Sequence, residues 1–98
     1  MRKTLHSRHN EIFLDMLRLS REDVRLRQTD LAHRLGRGQG TVSKTERGER
    51  RLDVIELRDW LLAMDLDFVA FMRELDHRLR RHPTTDRRLL GGTSRARR

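Results

Sequence analysis

Residues 39–47, QGTVSKTER, bring an amide, several hydroxyls, an ammonium and a guanidinium into one short run. At helical spacing Gln39, Gly40, Ser43 and Lys44 share one side, while Val42 and Thr45 turn to the other. The run before it, QTDLAHRL (28–35), puts Leu31, Ala32 and Leu35 on one helical stripe, and the break Gly36-Arg37-Gly38 separates the two. Two helices joined by so tight a turn must cross steeply, with the second projecting into solvent. The spacing therefore predicts that residues 39–47 form a helix meant for the major groove of DNA.

Bond-making chemistry has no comparable support. No Ser/His/Asp arrangement sits on a suitable scaffold, and no glycine-rich phosphate loop follows a strand. The acidic pairs Glu11/Asp15 and Glu22/Asp23 fall on solvated helix positions. His6, His9, His33, His77 and His82 show no ligand spacing with carboxylates. The expectation is a protein with no catalytic residues, no metal site and no cofactor.

The elements that must hold the reading helix follow from periodicity. Asn10 can cap a first helix over about 11–24, with Phe13, Met16, Leu17, Ser20 and Val24 inward and Ile12 at the margin. Gly36 ends the second helix as a residue tolerant of positive φ, and Gly48 closes the third. Asp53 and Glu56 make a capping-box pattern before a fourth helix, whose stripe is Leu57, Trp60, Leu61 and Met64. Asp67 caps a fifth helix, from Phe68 to about Leu79. Its apolar residues exceed what a small core needs, so Phe68, Phe71, Met72 and Leu75, with the exposed Leu62, are expected to bury against a second copy of the chain. Residues 1–9 read as a flexible basic arm, 10–81 as one all-α, five-helix domain with the crossed pair at helices two and three, and 82–98 as a basic, disordered tail.

Charge has a direction along the chain. Residues 1–52 carry 13 Lys/Arg against 7 Asp/Glu, residues 53–76 carry 2 against 7, and residues 77–98 carry 8 against 1. A basic front, acidic middle and basic tail suit a molecule that turns one face to a polyanion. At 98 residues the chain buries about 60–65% of its unfolded surface, so a partner surface would help it. The absence of cysteine fits a reducing cytoplasm. No apolar run approaches the roughly 20 residues needed to span a bilayer, and the start MRKTLHSRHN lacks a signal-peptide apolar region, so no membrane association is expected.

Taken together, Arg21, QTDLAHRLG (28–36), Gln39, TVSKTERGERRLD (41–53), Leu57, Leu66 and Asp67 resemble the phage-repressor-like helix-turn-helix proteins, the Xre or Cro family. The likeness covers about residues 12–75 and implies a compact lambda-repressor-like DNA-binding domain. By position, Gln39, Gly40 and Lys44, with Thr41 and Ser43 beside them, would face base edges. Gln39 could pair with an adenine and Lys44 could donate to a guanine. Gln28, Arg47 and Arg50 match phosphate-contacting positions, and Arg21 and Glu46 match a buried or half-buried ion pair tying helix one to helix three. Three departures stand out. Arg37 replaces an apolar residue and would turn toward phosphate, Gly40 removes a reading side chain, and Thr45 replaces a larger apolar anchor. The implied function is a sequence-specific double-stranded DNA-binding regulator, a homodimeric repressor on a pseudo-palindromic operator. The competing expectation is an antitoxin or adaptor whose fifth helix and tail bind a second protein. A third is an architectural DNA binder that relies on the basic tail.

Overall fold

The computed structural model describes residues 7–83, which form five α-helices: α1 (Arg8–Asp23), α2 (Gln28–Leu35), α3 (Gln39–Glu46), α4 (Val54–Ala63) and α5 (Phe68–Arg80). Most of the basic N-terminal arm and tail lie outside the described residues. α1 starts earlier than the Asn10 cap predicted. Ser7 is extended and its Oγ accepts from the Asn10 N–H at 3.1 Å, so Arg8 and His9 belong to the helix. A hydroxyl on an extended residue ahead of the first turn can accept from an N–H of that turn, which places the cap at Ser7 and Asn10 inside the helix.

The expected caps at the other helices hold. Asp53 accepts from the Glu56 N–H at 2.8 Å while Glu56 accepts from the Asp53 N–H at 3.1 Å. Asp67 accepts from the Ala70 N–H at 2.8 Å. The first four helices share one way of stopping. Arg25, Gly36, Gly48 and Asp65 all have φ between 60° and 80°. In each case the next N–H reaches back five residues, from Leu26 to Arg21, Arg37 to Ala32, Glu49 to Lys44 and Leu66 to Leu61, at 2.8–3.1 Å. The bond satisfies a carbonyl that the helix end would leave open and turns the chain sharply. Gly36 and Gly48 take this conformation without steric cost, whereas Arg25 and Asp65 carry a Cβ against it.

The core gathers Ile12, Met16 and Leu17 from α1, Leu31 and Ala32 from α2, and Val42 from α3. Leu57, Trp60 and Leu61 of α4, Met64 after it, and Phe71 and Leu75 of α5 complete it. Two expectations change here. The inward stripe of α1 runs Ile12, Met16, Leu17, Arg21, so Ile12 is in the core and Val24 is 36% exposed at the helix end. The expected Arg21–Glu46 pair is buried, and Arg21 on the stripe turns the inward face toward Ile12 and away from Val24. Phe71 and Leu75, expected at a subunit interface, are 6% and 8% exposed within the single chain. The four preceding helices do not close the core alone: α1 packs along α5, and Phe71 meets Phe13 edge-on with ring centroids 6.4 Å apart. Phe68 and Met72 are half-buried against the same core. Leu62 is 53% exposed, as the periodicity indicated.

Candidate nucleic-acid interface

α3 is held from behind by two side chains. Val42 and Thr45 have no exposed surface, and the Thr45 hydroxyl, which an apolar core would leave unpaired, donates to the Thr41 carbonyl at 2.8 Å. Thr45 is thus a satisfied anchor despite being smaller and more polar than an aliphatic residue. α2 packs across α3, and α1 reaches it through an ion pair.

That pair begins a chain of side-chain hydrogen bonds. Arg21 donates from Nε to Glu46 Oε2 at 2.7 Å and from Nη2 to Oε1 at 3.0 Å. Its Nη1 donates to the Leu26 carbonyl at 2.8 Å. Both side chains are nearly enclosed, 9% and 4% exposed. The Glu46 hydrogen bond holds the Arg21 guanidinium protonated above its ordinary range, against the opposing effect of burial. Gln28 Nε2 donates to Glu46 Oε1 at 3.0 Å, and Gln39 Nε2 donates to Gln28 Oε1 at 2.8 Å.

The direction of these bonds is forced. A carboxylate can only accept, so the Gln28 NH2 must face Glu46 and its carbonyl must face Gln39. The Gln39 NH2 must then face Gln28. Gln39 sits at the exposed start of α3 with its amide oriented before any ligand arrives, keeping one N–H and its carbonyl oxygen for a partner. One donor beside one acceptor is the pattern complementary to adenine N7 and N6 in the major groove.

The rest of the outer side is sparse. Gly40 and Lys44 are exposed, and Thr41 and Ser43 are half-buried. A Cβ built on Gly40 would meet nothing within 4 Å, so packing within the chain does not require glycine there. Cations surround the helix with different freedom. Arg37, in the turn, is exposed. Arg47 donates to both oxygens of Glu49, at 2.9 and 3.0 Å, and to the Ser43 hydroxyl. This pairing, aided by Lys44, pulls the Glu49 carboxyl below its usual range. Arg50 donates to Glu56 at 2.7 Å and so fastens the loop to the start of α4; with the Asp53 N–H it lowers the Glu56 pKa.

Of the predicted base-reading residues, Gln39, Gly40, Ser43 and Lys44 share the outer side of α3, with Gln28 and Arg47 alongside, whereas Thr41 is half-buried and turned toward Leu35 and Trp60. Arg50 is brought near but half-buried in its ion pair, and Phe71 and Leu75 lie elsewhere in the core. Sequence reasoning missed the Gln28 bonds and the Arg47–Glu49 pair. The signal for the first was present in an acceptor-only Glu46 that must find donors once Val42 and Thr45 turn its helix inward.

A short, tightly turned helix pair whose second member offers oriented polar groups to solvent defines a helix-turn-helix DNA-binding domain. A family model described as a helix-turn-helix domain matches residues 13–66. Among solved structures, the chain is similar to an XRE-family like protein from Pseudomonas syringae pv. tomato str. DC3000. The two are 43% identical with a TM-score of 0.71, over 76% of this chain and 92% of that one. No curated protein matches. The chain belongs to the Xre-type helix-turn-helix family, a class of DNA-binding transcriptional regulators. No helix among the described residues is long and apolar enough to cross a membrane.

Proposed function

We propose that the protein is a homodimeric repressor that reads a pseudo-palindromic operator by laying α3 in the major groove of double-stranded DNA. The observation that carries this reading is the Glu46–Gln28–Gln39 chain, which links a nearly enclosed carboxylate to one exposed amide and orients it. Gln39 takes an adenine, and Lys44 a guanine O6 or N7. Gly40, with open space above it, lets the sugar-phosphate or a base edge come close to the α3 backbone. Arg37 and the first N–H groups of α2 at Gln28 take phosphates, the latter helped by the helix dipole. Arg47 joins them by exchanging Glu49 for a phosphate, and Arg50 positions the loop beside it.

The second copy packs on the apolar residues that the folded chain leaves uncovered. Leu62, with Ile55 and Val69, is 53–66% exposed, and the half-buried Phe68 and Met72 adjoin the same helices. A two-fold arrangement spaces the two α3 helices by about 34 Å, one turn of DNA. Selection of bound sequences from random duplex DNA tests the whole reading: it should return a dyad with an adenine in each half-site. Gln39→Ala should cost about 1–3 kcal/mol on that operator and relax choice at that base pair. Equal losses on operator and scrambled duplex would refute the base-reading role of Gln39.

A further inference from the structure

A groove of about 480 Å³ lies between α1 and α5, formed by none of the α3 residues. Its floor is apolar, with Met16, Leu19, Ala70 and Phe71, and Leu19 is 43% exposed. Its rim carries Asp23, Asp67 and Glu74 against a single cation, Arg78, which is already bonded to Glu74 at 2.7 Å. Glu22 and Asp23 close α1 at the negative end of its dipole, where carboxylates are disfavoured and a nearby cation would be favoured. An occupant should therefore be basic with a small apolar element.

The chain supplies such a segment. Residues 84–98, TTDRRLLGGTSRARR, contain five arginines, one aspartate and a leucine pair, Leu89-Leu90. The described chain ends near the start of α1, where the His82 carbonyl meets the His9 ring nitrogen, four residues past Arg78 on the groove's rim. Ala70 stands twelve residues before His82, about 18 Å back along the helix. Leu89 stands seven residues after His82, a reach of up to about 23 Å for extended chain. Pro83 prevents the helix from simply continuing. We infer that residues 84–98 fold back along α5 and dock in this groove, with Leu89 and Leu90 on Leu19 and Phe71 and the arginines toward Asp23 and Asp67.

The chain has no cysteine, so Ser94→Cys gives the full-length protein one site for a nitroxide spin label. At low salt, where surface charge attraction is least screened, amide signals of Leu19, Asp23, Ala70 and Glu74 should be lost selectively. Leu89→Ser together with Leu90→Ser should restore them, and so should Leu19→Ser on the groove side. The tail changes lie outside the core, so loss of fold does not confuse the result. Broadening spread evenly over the surface or centred on α3, or unchanged by the serine variants, would overturn the inference. So would broadening seen only when labelled chains act on separate, isotope-enriched copies, because the occupant would then be another molecule's tail.

Discussion

Removing the Glu46 carboxylate separates the two tasks of its hydrogen-bond chain, holding the fold and aiming Gln39. Glu46→Ala strands Arg21, 7% exposed, with only the Leu26 carbonyl and a distant Glu22 oxygen at 3.8 Å. An enclosed charge that loses its partner costs about 3–5 kcal/mol. Against a domain stability of about 5–15 kcal/mol, that should lower Tm by roughly 12–40 °C, at about 4–8 °C per kcal/mol. The double variant Arg21→Met/Glu46→Leu fills the space without a stranded charge and should recover most of the loss in urea or thermal unfolding. It leaves Gln28 without the acceptor that fixes its amide, so Gln28 can turn either face to Gln39. The refolded double variant should therefore bind DNA with normal dependence on salt but with about 1 kcal/mol less preference for operator over scrambled duplex, the scale of one net hydrogen bond. A single variant costing under 1 kcal/mol would refute the burial argument. A stable double variant with undiminished operator preference would refute the aiming argument.

Other substitutions probe neighbouring parts of the same reasoning. Gly40→Ala meets no clash and gains helix propensity, so it should raise stability by about 0.5–1 kcal/mol in thermal unfolding. If DNA approaches the backbone there, the same change weakens operator binding, which a titration of the stabilised variant would detect. Arg25→Gly relieves a Cβ at φ 61° and should stabilise by about 0.5–1 kcal/mol, measured as a higher urea midpoint at unchanged slope. The Asp30 carboxyl, bonded by the Arg27 side chain and N–H, is lowered from 3.8 to about 2. Because its folded value is depressed, its contribution to stability is present above 3.8 and is lost as pH falls toward 2. A carboxyl titration by NMR should show that midpoint, and Arg27→Gln should raise it.

Most of the frame was readable because it depends on local rules. Asp53 with Glu56, Asp67, and Gly36 each act on backbone within a few residues, and a cap or a positive φ leaves a residue-type signature there. The outer side of α3 was readable for the same reason, since Val42 and Thr45 define its inner side by spacing alone. What depends on distant partners was less legible. Arg21 is apolar in location and polar in chemistry: periodicity does not place it inside, and its pairing with Glu46, twenty-five residues away, was expected only from the family resemblance. Drawing the inward stripe of α1 as Phe13, Met16, Leu17, Ser20 and Val24, with Ile12 only at its margin, left Arg21 off that stripe and made α5 look superfluous to the core, although the Arg21–Glu46 pair itself was expected. With Ile12 in the core and Phe13 edge-on to Phe71, Phe71 and Leu75 have a place inside, and the apolar surface left exposed on α4 and α5 is Val54, Ile55, Leu62, Val69 and the edges of Phe68 and Met72. One buried ion pair thus bears on three things together: the register of α1, the orientation of Gln39, and which apolar residues the folded chain leaves exposed.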